Sequence, residues 1–405
     1  MGRNGKRTPI LLVVLVVLLT GLIGCTGSRP DTSGARAAIQ EVLDRQSAAV
    51  VDGDRDRYLA AVDPQADRYR VQQRQAITTL AKLPVGRWSQ QLTSLQVDGG
   101  SAQAQVTLSY RLRGYDRAPV TASEDLELHR RSGQWYLSGE LPGSSTELWE
   151  QGAVTVVHGD HSLVLGTGNA KARLREIAHD ADAAVPDVSR AWPRDWSQRV
   201  VVLVPDSLHD MGALLDSPGS TYQGIAAVTT GEAGSSKGAT AERIVVNPRS
   251  YAVLSELGRQ VVTTHETTHV ATRRWTTSAT PLWLSEGFAD WVAYRNTGRT
   301  PQQVAPELAA AVRAGDVPET LPQDTDFRFD NGEDALARAY EGGWLACRMI
   351  AAHWGTHALT TFYAEVGTSR TTGSDAVDDA LHEVLHTDVA AFTDRWRTYL
   401  REQLG

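Results

Sequence analysis

The apolar positions of the chain change their spacing several times, and each change marks an element. Residues 10–19 are apolar without a break, behind Arg3, Lys6 and Arg7. Over 35–60 the spacing turns helical, with Ile39, Val42, Leu43, Val50 and Leu59 on one side. Asp63-Pro64 interrupts it, and a second helix carries Val71, Ile77, Leu80 and Leu83 up to Pro84. The period then drops to two. Strands are predicted over 88–97, 104–112, 121–128 and 135–137, separated by turn signals at Asp98-Gly99-Gly100 and Gly133. Leu141-Pro142-Gly143-Ser144-Ser145 closes this block.

Beyond it, 153–157 and 162–165 read as a hairpin, 171–185 as a helix ending before Pro186, and 199–204 as a strand. Short strands are expected at 225–229 and 242–247, flanking a Gly/Ser-rich stretch over 232–239 that reads as mobile. From Leu254 onward the pattern is mainly helical. The fold class is therefore α+β. A small α+β domain over 35–143 precedes a domain over 144–405, in which a mixed sheet leads into a mostly helical half. The order of the first domain, helices then several antiparallel strands, resembles the cone-shaped nuclear-transport-factor-2 (NTF2) type. That resemblance rests on order and size, and no catalytic set is visible in it.

Composition narrows the function. The 405 residues carry a net charge of -8, which argues against a nucleic-acid partner. Two cysteines exclude a disulfide framework and a four-cysteine metal site. The basic head and short apolar run read as a secretory signal, too short to span a bilayer comfortably. Its end, Leu22-Ile23-Gly24-Cys25, resembles a bacterial lipobox, in which Cys25 takes a lipid and becomes the mature N-terminus. Residues 1–24 are then a lipoprotein signal peptide and 25–34 a flexible Gly/Ser/Pro tether. Removing 1–24 takes three basic side chains from the net charge of -8 and leaves -11. Lipid on Cys25, not charge, would hold such a body at an anionic membrane. The expected location is the extracytoplasmic face of a bacterial cell membrane.

Chemistry concentrates at His265-Glu266-Thr267-Thr268-His269. Positions four apart share a helix face, so His265 and His269 can present two imidazoles to one metal, with Glu266 beside them. The β-branched threonines are poor helix formers, so packing must hold this helix. Downstream, Leu282-Trp283-Leu284-Ser285-Glu286-Gly287-Phe288-Ala289-Asp290 starts just after Pro281. Zinc held by two histidines and one glutamate, with an open fourth position, is a known catalytic arrangement. Glu286 follows His269 by enough chain for a loop to return a carboxylate on a second helix.

These motifs resemble the gluzincin metallopeptidases, the thermolysin and M1 aminopeptidase type, and most of all the bacterial peptidase MA-like group. The resemblance covers roughly residues 200–365. It implies one zinc ion per chain on His265, His269 and Glu286, with Glu266 as general base. It also implies that Asp290, one turn after Glu286, orients His265. Ala339-Tyr340-Glu341-Gly342-Gly343 resembles the Tyr-Glu-Lys-Gly segment of M1 enzymes, with Gly342 where the Lys would stand; this implies Tyr340 as oxyanion donor. No Gly-x-Met-Glu-Asn segment is present to hold a free amine, so aminopeptidase activity does not follow and an endopeptidase is expected. The substrate would be a peptide or protein of the cell envelope. Two alternatives stand beside this: an inactive peptidase-like zinc module that binds cell-envelope proteins or ligands, and a lipoprotein whose first domain does the binding.

Other polar residues read as structural. His158 and His161 flank a Gly-Asp turn without a carboxylate partner, and His129 sits on a strand without an evident one. His353 and His357 lack an intervening Glu, and Cys347 reads as a small buried apolar residue. Replacing Cys25 with Ser is expected to release the protein from membranes or leave it unprocessed. Sequencing the mature N-terminus checks this, and a start well beyond residue 25 would count against it.

Overall fold

The structure, a computed structural model, describes residues 32–168, 170–230, 241–328, 331–371 and 373–405. Cys25 and the apolar leader lie outside the described residues, as does the Gly/Ser-rich stretch over 232–239. Among the described residues no helix is long and apolar enough to cross a membrane.

Helices α1 (Thr32–Asp52), α2 (Arg55–Ala60) and α3 (Asp67–Leu80) come first. The last three positions of the expected tether are thus helical. The single helix expected over 35–60 is broken, because Gly53 takes φ +68° and Asp54 starts α2 by accepting a hydrogen bond from the Arg57 N–H. An antiparallel meander follows: β1 (Val85–Asp98), β2 (Ser101–Leu112), β3 (Val120–Arg131) and β4 (Gln134–Glu140). The alternation along β2 is realised, with Ala102, Ala104, Val106, Leu108, Tyr110 and Leu112 all buried. Ile39, Val42 and Leu43 of α1 pack on Leu92, Leu126 and Leu128 of the sheet. The ladder runs from β1 to β4 and does not close into a barrel.

The second sheet is mixed. Its strands are β5 (Val154–His158), β6 (Ser162–Thr167), β7 (Val200–Val204), β8 (Ala227–Thr229) and β9 (Ile244–Val246), in the order β5-β6-β7-β9-β8. β6, β7 and β9 are parallel, and β5 and β8 are antiparallel edges. Helix α4 (Lys171–Ala191) joins β6 to β7 and does not stop before Pro186 as expected. An interior proline costs about 3 kcal/mol. Val188, Ala191 and Trp192, all inaccessible to solvent, hold the last turn in the core.

This sheet has no free face. Val164, Val200, Val202, Val204, Ile244 and Val246 point towards α4 and the helical half. Leu163, Leu165, Val201, Leu203 and Val245 share a second core with Trp88, Tyr110, Leu112 and Trp149. Burial on both sides explains why β7 reads as an unbroken apolar run. The remaining helices are α5 (Leu208–Leu214), α6 (Pro248–Ala252), α7 (Glu256–Thr272), α8 (Leu282–Tyr294), α9 (Pro301–Val304), α10 (Pro306–Arg313), α11 (Glu333–His353), α12 (Thr356–Thr368), α13 (Ser374–Ala380) and α14 (Val389–Leu404). Asp388 caps α14 by accepting from the Ala391 N–H.

A bidentate ion pair bolts the two sheets together. Arg243 donates to Asp116 at 2.7 and 2.9 Å, and both side chains are almost fully buried. Asp116→Ala leaves the guanidinium buried and unpaired, which should destabilise the fold by roughly 3–5 kcal/mol. Urea unfolding checks this, and a loss below about 1 kcal/mol would place the pair among surface bridges.

Candidate metal centre

Helix α7 begins at Ser255, whose hydroxyl accepts from the Gly258 N–H. Thr263, Thr264, Thr267, Thr268 and Thr272 are all buried, so the helix is held by packing on both sides of its threonine-rich stretch. Two of these hydroxyls return to the helix itself, Thr268 to the Thr264 carbonyl and Thr272 to the Thr268 carbonyl. Helix α8 lies across α7, and α11 lies against α8.

The α8–α11 crossing is a backbone contact. A Cβ built on Gly287 would stand 2.3 Å from the carbonyl carbon and oxygen of Gly343, and one on Gly343 would stand 2.6 Å from the Trp283 oxygen. Gly343, which stands at the glycine of the Tyr-Glu-Lys-Gly pattern, is therefore required by the crossing, and the departure from that pattern is at Gly342. Tyr340 and Gly343 share a face of α11, so the crossing brings Tyr340 to the side of α11 that meets α8. Its ring packs edge-on against Phe327 at 5.1 Å between centroids.

His265, His269 and Glu286 converge, with their ligand atoms within 4.8 Å of one another. The Nε2 atoms of His265 and His269 are 3.0 Å apart, and Glu286 Oε2 lies 3.2 and 3.4 Å from them. Ligands at about 2.0–2.1 Å from a tetrahedral zinc are roughly 3.3 Å apart, so these three atoms already span one face of such a polyhedron. The donor set and spacing fit one Zn2+ per chain. It is a His-Glu-x-x-His…Glu cluster of the kind that supports metal-activated hydrolysis, and a peptide or protein is the general substrate class of such a site.

Asp290 Oδ1 lies 2.8 Å from His265 Nδ1. The pairing leaves Nε2 as the nitrogen that faces Glu286. Electrostatics point the same way. Burial alone would lower the pKa of His265, but Asp290 and Glu286 outweigh it and hold the imidazole well above its usual value. Glu286 is pushed up by burial and pulled down further by the two imidazoles, ending well below the carboxylate range. The centre is thus a well for positive charge, whether protons or a metal cation.

Glu266 is buried next to the cluster. Its carboxylate accepts a hydrogen bond from Thr229 Oγ1 at 2.7 Å, from the edge strand β8. Nothing in the sequence flagged Thr229, because it lies 37 residues upstream in a short strand whose partner is known only from the fold. The remaining polar residues fall elsewhere. His158 and His161 stay at their turn, where Asp182 accepts from the Asp160 and His161 N–H groups. Among the described residues they belong to no metal-type cluster. His129 does have a partner, Asp63 Oδ2 at 3.4 Å, beside the Asp63–Arg131 pair. Cys347 is buried and free.

No protein-family model matches the chain, and no curated protein matches it. Solved structures do. The chain is similar to a two-domain M1 zinc metallopeptidase variant bound to L-arginine, at 17% identity and TM-score 0.36, over 69% of this chain and 60% of that one. It is similar to native yeast LTA4 hydrolase at 12% identity and TM-score 0.38, over 80% of this chain and 61% of that one. It is also similar to Rv3472, a protein of unknown function from Mycobacterium tuberculosis, at 16% identity and TM-score 0.24, over 29% of this chain and 75% of that one. The chain thus spans about three fifths of the M1 and LTA4 hydrolase chains it matches.

The purified protein should hold about one zinc per chain, and His265→Ala, His269→Ala and Glu286→Ala should each lose most of it. Asp290→Asn should keep the metal with affinity lowered about 10–100-fold. Metal analysis and chelator competition read both, and full occupancy in all three ligand variants would remove the assignment.

Proposed function

We propose that the chain is a lipid-anchored, extracytoplasmic zinc metallopeptidase of the gluzincin type that hydrolyses internal peptide bonds, its catalytic body preceded by an NTF2-like domain. The observation that carries this is the convergence of His265, His269 and Glu286 with the buried Glu266 carboxylate alongside. Zinc, when bound there, supplies Lewis acidity toward water and the scissile carbonyl. Glu266 takes a proton from the attacking water and passes it to the departing amine. Thr229 holds the Glu266 carboxylate in place through its 2.7 Å hydrogen bond. Asp290 fixes the tautomer and direction of His265. Tyr340, a neutral phenol, donates to the developing oxyanion.

One further feature supports a peptide as substrate. Among the described residues β8 is the edge of its sheet and stands over Glu266, so its outer side can pair with an extended chain.

Glu266→Gln keeps the size of the side chain and removes the base. Zinc content should be unchanged, while hydrolysis of a peptide library falls by roughly 100-fold or more. A Gln variant that cleaves as fast as the wild type would overturn the general-base role. A wild type that holds zinc and cleaves nothing across a broad library would favour an inactive binding module.

A further inference from the structure

We propose that Thr230, Arg243 and Asp116 are positioning residues for Glu266, through which the N-terminal body sets where the proton-transferring carboxylate stands. The inference deepens the reading of Glu266 as general base and rests on it.

The link begins at Thr229. Its hydroxyl has one proton and two acceptors in reach, Glu266 Oε2 at 2.7 Å and the Glu266 main-chain oxygen at 3.1 Å. With so little between them, a small displacement of β8 would turn the proton to the main chain and release the carboxylate. Alone, β8 is poorly equipped to prevent this. It has three residues and, among the described residues, one neighbouring strand. The ends of such short edge elements open readily.

The end beside Glu266 is closed by a second pair of residues. The strand ladder stops with Ile244 opposite Thr229. One position further, the Thr230 N–H donates to the Arg243 oxygen at 2.8 Å, and the Arg243 N–H donates to Thr230 Oγ1 at 2.8 Å. The opposite end is held without the N-terminal body, by the Asn247 N–H on the Ala226 oxygen at 2.9 Å.

Arg243 is fixed at its far end as well. Its guanidinium donates to Asp116 at 2.7 and 2.9 Å and to the Glu242 oxygen at 3.0 Å. It also lies 5.9 Å from the centre of the Tyr110 ring. Asp116 is held in turn at the end of β2, where its carboxylate accepts the Leu112 N–H at 2.7 Å. A buried ion pair is a weak source of stability beside apolar packing, but a bidentate one permits a single geometry. The pair places the main chain of Arg243, Arg243 places Thr230, and the adjoining Thr229 follows.

The test uses the whole zinc-loaded protein. Thr230→Val keeps a strand-forming shape and removes the acceptor, Thr230→Ser keeps the oxygen, and Arg243→Lys keeps the charge and removes the fork. In Thr230→Val and Arg243→Lys, kcat should fall by roughly 10–100-fold, the scale of a misplaced catalytic group, with zinc content unchanged. Thr230→Ser should retain most of the activity. The same two changes added to Glu266→Gln should lower its residual kcat by less than about twofold, since the group they place is no longer a base. Losses of equal size in both backgrounds would mean that β8 acts on the substrate or on general stability, and would overturn the proposal. Amide hydrogen exchange supplies a readout without turnover. In Arg243→Lys the Thr230 N–H should exchange about tenfold faster or more, while the amides of α7 keep their rates. An unchanged Thr230 rate would overturn the proposal even if Thr230→Val failed to fold. A zinc-loaded wild type that cleaves no peptide would sink the general-base reading and this link to it. The exchange rates distinguish that failure from a β8 that the N-terminal body does not fix.

Discussion

The metal centre is organised around a shortage of positive charge out of contact with water. His265, His269, Glu286 and Asp290 retain only 12–16% side-chain exposure, and Glu266 is buried beside them. Two carboxylates and two imidazoles in so little solvent are stable only if cations join them. Protons can meet part of that need, which is why the two imidazoles are held above their usual pKa. A divalent ion meets it while leaving both rings neutral and able to ligate. The hydrogen bond from His265 to Asp290, the Thr229 bond to Glu266 and the dense packing of α7, α8 and α11 all serve to hold these groups in place.

The second constraint is the mixed sheet. With apolar side chains on both faces it needs a cover on both sides, and the helical half supplies only one. Trp88, Tyr110 and Trp149, in mutual ring contact at 5.3–5.8 Å, form much of the other. Removing the N-terminal body would therefore bare Leu163, Leu165, Val201, Leu203 and Val245 and take away Asp116, the partner of the buried Arg243. Loss of activity in such a truncation would report a stripped core as readily as a lost binding function. Point changes inside the first body are the cleaner probe of what it does.

Local features were legible in the chain. The four-residue offset of His265 and His269 and the return of Glu286 after Pro281 follow from helix geometry, and β2 announced its buried side by strict alternation. Features that depend on long-range partners were not. Thr229 looked like any strand threonine until β8 was set over α7. The run past Pro186 is decided by Val188, Ala191 and Trp192 entering a core that local propensity does not see. Gly53 divides the first helical stretch because its left-handed turn is compatible with the close return of α2, which a periodicity count passes over. The shared core of the two sheets left no mark except the unbroken apolar run of β7, which fits a strand covered by helices equally well.

The contact between Gly287 and Gly343 carries a consequence for how the site can vary. Where two helices touch through side chains, small changes in those side chains shift the axes by fractions of an ångström. Where they touch backbone to backbone, no such adjustment exists. Sliding α11 along α8 by one residue would set Glu286 or Phe288 against it in place of glycine. The separation between the third ligand on α8 and the phenol on α11 is accordingly a stepped quantity, not a graded one. Variation around the site would then have to come from side chains away from this crossing, with the spacing of Glu286 and Tyr340 inherited unchanged.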